Sequence, residues 1–203
     1  KVTETVAQIV KAAYYLPQDV YEGLKAGRET EKSPVGCVVL DQIIKNAEIA
    51  REEDRPICQD TGYTIVFLEV GQDVHFEGGD LQQLFKTALL KVIRRYLRKS
   101  VVAEPLFNRK NTGNNTLVII YTSIVPGDKL KIDMELKGFG SENKSGVKML
   151  VPADGVEGVK NAVMEIVKKA GPNHALQWFL GVGIGGTMDY AALLSKKSIA
   201  SFY

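Results

Sequence analysis

The stretch Thr64-Ile65-Val66-Phe67-Leu68-Glu69-Val70 decides the class of the fold. It is β-branched and aromatic and is bounded by Gly62 and Gly71, so it predicts a strand in a chain whose pattern up to that point is helical. Outward toward the C-terminus, Leu81, Leu84, Phe85, Ala88, Leu89, Val92, Ile93 and Tyr96 repeat at three and four, the strongest amphipathic helix of the sequence. Beyond it, Thr116 to Ser123 and Lys129 to Leu136 predict two further strands. They are joined by Val125-Pro126-Gly127-Asp128, whose proline and glycine suit a hairpin or β-turn.

Outward toward the N-terminus, Val2, Val6, Ile9, Val10 and Ala13 recur at helical spacing. Pro17 opens a second short helix that Gly27 can end, and Val39, Leu40, Ile43, Ile44 and Ala47 mark a third from about Val35 to Arg51. After the strands come a polar, glycine-rich loop from Lys137 to Gly146 and a short apolar segment, Val147 to Val151. Val156, Val159, Val163, Ile166 and Val167 predict a helix over Gly155 to Ala170, stopped by Gly171-Pro172. A buried strand at Phe179 to Val182 and a last helix at Met188 to Lys197 complete the pattern, with Trp178 read as core. The expectation is an α+β fold. It has a helical N-terminal third, then a mixed sheet with hairpin-connected strands packed against helices, in a single domain over residues 1–203.

Composition narrows the function classes. The 203 residues are 45% apolar, enough for a real core, so a disordered chain and a small disulfide scaffold are excluded. Lys and Arg number 26 against 24 Asp plus Glu, for a net charge of +2 with no basic run, so no nucleic-acid partner is expected. No apolar stretch approaches the roughly 20 residues of a membrane span, and no signal segment opens the sequence. Two cysteines, Cys37 and Cys58, suggest a reducing, cytoplasmic compartment.

Five polar stretches between the elements carry reactive side chains, four of them together with glycines. Pro56 to Gly62 sets a thiol, an amide and a carboxylate in consecutive positions, Cys58-Gln59-Asp60; its bland reading is a half-buried cysteine beside a turn made by Asp60 and Gly62. Leu97 to Ser100 ends the long helix with basic residues that either complement its dipole or face an anion. Asn111 to Thr116 is dense in amides and hydroxyls, as turns are. Lys137 to Asn143 carries glycines that could let backbone amides approach a carboxylate. Gly181 to Thr187 formally fits G-x-G-x-x-G, but a dinucleotide site also needs a βαβ unit and an acidic residue about 20 positions on, and neither is found. His75 and His174 have no context for a triad or a metal pair.

In their order and spacing these five loops resemble the α subunit, or N-terminal half, of the class I iron–sulfur hydro-lyases: class I fumarate hydratase and L(+)-tartrate dehydratase. Ile44 to Ala50, Ile124 to Asp128 and Pro152-Ala153-Asp154-Gly155 belong to the same resemblance. It implies reversible addition of water across the double bond of a small dicarboxylate, with fumarate/malate ahead of tartrate. It also implies a [4Fe-4S] cluster whose open iron serves as a Lewis acid. By that resemblance Cys58 matches a cluster ligand, Gln59 and Asp60 match substrate-site residues, and Asp60 is the candidate acid/base. Arg98 matches an arginine that grips a substrate carboxylate, and Gly138 and Gly140 border the same site.

The departures are as informative. Where the family places a second cluster cysteine followed by two prolines, this sequence reads Ala175-Leu176-Gln177. The third cysteine and a histidine of the family lie beyond the position matching Tyr203, and further catalytic groups come from a β subunit or C-terminal domain. Cys37 lies in a helical stripe and is read as packing. The expectation is therefore one component of an oligomeric hydro-lyase, inactive alone; the alternative is a non-catalytic scaffold that keeps the fold and has lost the cluster.

Overall fold

The strand between Gly62 and Gly71 is present and central. The computed structural model describes residues 4, 6, 8, 10–96, 101–115, 118–171 and 179–200. The chain divides into two units, Lys1–Lys137 and Gly138–Tyr203. The architecture is α+β, six helices with one mixed three-stranded sheet among the described residues.

In the first unit, Glu4, Val6, Gln8 and Val10 are helical and lead into a 3-10 turn at Lys11–Ala13. Helix α1 (Gln18–Thr30) follows Pro17 and buries Val20 and Leu24. It passes through Gly27 instead of ending there, because Gly27 keeps ordinary helical backbone and its carbonyl accepts from Glu31 N at 3.0 Å. Helix α2 (Pro34–Glu52) has proline at its first position and Ser33 as its cap, the hydroxyl accepting from Gly36 N at 3.3 Å. Leu40, Ala47 and Ala50 form its buried stripe, and α1 and α2 pack together, with Tyr21 Oη donating to Glu48 at 2.9 Å.

Strand β1 (Tyr63–Gly71), helix α3 (Leu81–Tyr96), strand β2 (Val118–Val125) and strand β3 (Leu130–Lys137) complete this unit. The Val125 to Asp128 turn reverses the chain, but the paired hairpin does not form: the strand order is β2-β1-β3. β1 runs parallel to β2, with Val66 opposite Ile120, and antiparallel to β3, with Val66 opposite Met134. The end of β1 enters beneath the turn, Gly71 N donating to Lys129 O at 2.8 Å, Gln72 N to Val125 O at 2.8 Å and Asp73 N to Gly127 O at 3.0 Å. Glycine is required at position 71, since a Cβ there would collide with the Gly127 carbonyl.

Side chains alternate across the sheet, so Val66 and Leu68 share a face. That face packs on Val6, Val10, Tyr14, Phe85 and Ala88, with Val118, Ile120, Ile132 and Met134 at its margin. Full burial of a side chain such as Phe85 or Leu68 contributes about 1.5–3 kcal/mol, which makes this cluster the main source of the unit's stability. On the opposite face Phe67 stacks on Tyr121, with ring centroids 5.4 Å apart.

The second unit contains the one-turn helix α4 (Phe139–Glu142), a 3-10 turn at Pro152–Asp154, helix α5 (Gly155–Ala170) and helix α6 (Met188–Ala200). Part of the glycine-rich loop is thus a helical turn. Helix α5 has the predicted bounds and buries Ala162 and Ala170, while Val156, expected in its stripe, is exposed. The strand expected at Phe179 to Val182 is not formed, and Phe179, Leu180 and Val182 are 43%, 54% and 46% exposed. Gly181 within it and Gly183 just after it take another role: both lie so close to α6 that a Cβ would overlap the carbonyls of Ser195 and Ala191. Trp178 lies outside the described residues. Among the described residues no helix is long and apolar enough to cross a membrane.

Candidate functional site

Cys58, Gln59 and Asp60 lie on the connection from α2 to β1, held by backbone bonds on either side. Upstream, Ile57 N donates to Ala13 O at 2.9 Å, and Asn46 Nδ2, from α2, donates to Ile57 O at 2.8 Å. Cys58 is exposed, against the half-buried position its bland reading suggested, and its thiol lies 3.7 Å from Gln59 Oε1. Asp60 makes the predicted turn, its Oδ1 accepting from Gly62 N at 3.0 Å, and Gly62 takes the left-handed backbone (φ 64°) that closes it. Directly after Gly62, burial pushes the Tyr63 phenol above its ordinary range.

A second loop meets the first. In Asn111–Asn115, Asn111 Oδ1 accepts from Gly113 N at 2.7 Å and Thr112 Oγ1 from Asn115 N at 3.0 Å, which confirms a turn built by its own side chains. Sequence reading missed what the turn does. Asn115 is 3% exposed and in left-handed backbone (φ 53°); its Oδ1 accepts from Val101 N at 3.1 Å while its Nδ2 donates to Thr61 Oγ1 at 3.5 Å. An asparagine two positions beyond a turn glycine is the signal that could have marked it, because asparagine tolerates positive φ and its amide both donates and accepts. Thr116 lies outside the described residues.

The remaining predicted site residues are elsewhere. Gly138 caps α4 in extended backbone and Gly140 lies within that helix, both in the second unit and neither with positive φ. Helix α4 is tied to α6 by an ion pair, Glu142 to Lys196 at 2.6 Å. Arg98 lies outside the described residues, as do Ala175 and His174; His75 is exposed. Cys37 is half-buried at the start of α2, its thiol 3.4 Å from Glu31 O.

The donor set does not fit a complete cluster site. Among the described residues no group of three or more His, Cys, Asp or Glu side chains converges on a metal position. A cubane with one open iron takes three thiolates, and Cys58 offers one.

Comparison with known proteins gives a consistent result. Residues 3–202 match the family described as fumarate hydratase (Fumerase). The "Putative L(+)-tartrate dehydratase subunit alpha" of Methanocaldococcus jannaschii is 36% identical over 205 aligned residues, covering 98% of this chain and 72% of that protein. The L(+)-tartrate dehydratase subunit alpha of Escherichia coli O157:H7 is 33% identical, and that of strain K12 is 32% identical. Each alignment covers 98% of this chain and 67% of the relative.

Proposed function

The chain belongs to the fumarate hydratase (Fumerase) family, from which we infer that it is one component of a cytoplasmic hydro-lyase acting on a small dicarboxylate. The observation that carries this reading is the unbroken Cys58-Gln59-Asp60 on a loop anchored to α2, within a family match that runs almost from end to end. The relatives' names support tartrate, already expected beside fumarate/malate, as a substrate to test, and the word alpha in them supports a partner of β-subunit type.

In this reading Asp60 moves a proton to or from the substrate. Its Oδ1 is held by the Gly62 amide, so the carboxylate is oriented before substrate arrives. Gln59, exposed beside it, offers an amide donor to a substrate carboxylate or hydroxyl. Arg98 supplies a planar, two-pronged grip on a carboxylate that a lysine would not reproduce. Cys58 would hold one iron of an iron–sulfur cluster that would supply a Lewis acid, and the remaining thiolates would have to come from outside these 203 residues. The second reading, a scaffold that has lost the cluster, is favoured by Ala175 at a family cysteine position.

The test is anaerobic purification of the complete enzyme with its partner, followed by fumarate, malate and L-tartrate assays. Turnover that falls at least about a hundredfold in Asp60→Asn, and is lost in Cys58→Ala, is the expected result. Wild-type turnover that survives both changes would overturn the assignment, and absence of turnover in the wild type would favour the scaffold.

A further inference from the structure

Cys58 and Gln59 are exposed, so the placing of the Cys58-Gln59-Asp60 segment depends on what holds its two ends. The upstream hold is Asn46, which reaches the carbonyl of Ile57 from a regular helix. The downstream hold is Thr61, directly after Asp60 and itself 7% exposed, which receives the amide of Asn115 from 54 positions along the chain. Asn115 is in turn fixed by Val101 N and by its own backbone bond to Thr112. A primary amide suits this position because it accepts from Val101 and donates to Thr61 at once. Both partners are out of water, so removing either leaves a buried polar group to be satisfied again.

We propose that Asn115 is a positioning residue for the Cys58-Gln59-Asp60 segment, acting through its hydrogen bond to Thr61. The chemistry it serves is that of the hydro-lyase reading, while the brace itself stands on the geometry. In this arrangement Asn115 fixes where the segment ends and so where Asp60 is held.

Three variants test it. Thr61→Val keeps the shape and removes the hydroxyl, Thr61→Ser keeps the hydroxyl, and Asn115→Gly keeps the positive φ while removing the amide. In peptide-resolved hydrogen–deuterium exchange on the full chain, residues 57–62 should exchange about fivefold faster in Thr61→Val and Asn115→Gly. The β1 amides should stay unchanged and Thr61→Ser should match the wild type. In the complete enzyme the same two variants should lose about tenfold or more in kcat, with KM within about twofold, and the double variant should be no worse than either single one.

Unchanged exchange at residues 57–62 in Thr61→Val would overturn the brace, as would equal kcat losses in Thr61→Val and Thr61→Ser. Thr61→Val, nearly isosteric, decides the matter even where Asn115→Gly does not fold. A wild-type enzyme inactive on all three substrates would overturn the hydro-lyase reading and with it the positioning role, while the exchange result would still decide whether the brace exists.

Discussion

Glu104 shows how one carboxylate can shape a loop. Its two oxygens accept from the backbone amides of Asn108 at 2.7 Å, Leu106 at 2.6 Å and Phe107 at 2.9 Å, and these bonds hold the carboxyl below the usual carboxylate range. A group whose folded pKa is depressed stabilises the fold above its unfolded value, about 4.3 for glutamate. That contribution is lost as pH falls from there through the lower folded value. Amide exchange of Leu106, Phe107 and Asn108, corrected for its intrinsic pH dependence, should therefore accelerate on acidification below about pH 4.3. In Glu104→Gln the same amides should exchange several-fold faster already at neutral pH, because the neutral amide group has one acceptor oxygen in place of two. Equal exchange in the two proteins at pH 7 would show that the loop is held by something else. Leu106 and Phe107, 72% and 92% exposed, are the side chains this turn displays.

At the scale of elements, two glycines make opposite predictions. Gly71→Ala drives a methyl into the Gly127 carbonyl and should destabilise by about 1–3 kcal/mol, read as a lower urea midpoint at unchanged slope. Gly27 lies within α1 with nothing near its absent side chain, so Gly27→Ala should stabilise by about 0.4–1 kcal/mol. A midpoint that rises for Gly71→Ala would show that the β1 end can leave the turn freely. The same elements show what a sequence encodes. β1, α3 and α5 were legible because burial on one face or both imprints a period on neighbouring residues. The partners of β2 and β3 were not, since Pro126 and Gly127 specify that the chain turns back and say nothing of a third strand lying between. Phe179 to Val182 is as apolar as a strand, but Gly181 within it and Gly183 after it permit contact with a helix backbone instead of pairing. In the site, Cys58, Gln59 and Asp60 stand consecutively and could be read. The Thr61 to Asn115 link joins distant positions and could not.

For the molecule as a whole, the prediction concerns the chain by itself. Its apolar cluster around Val66, Leu68 and Phe85 is independent of metal, so the 203-residue chain should fold alone. After anaerobic treatment with iron and sulfide, then desalting, it should retain almost no iron and hydrate no fumarate, since Cys58 is a single thiolate and Cys37 is engaged at the start of α2. About four irons per chain, with turnover abolished by Cys58→Ala, would mean that other residues complete the cluster. The central place of β1 has a consequence for how this chain is made. β1 leaves the ribosome first of the three strands, yet Thr64 must wait for Val118 on one side and Leu136 on the other. During that interval Ile65, Val66, Phe67 and Leu68, all buried in the finished protein, have no sheet to join. Such nonlocal closure slows folding and leaves an apolar, β-prone segment open to association between nascent chains, so soluble yield should fall as synthesis outpaces chaperone capacity.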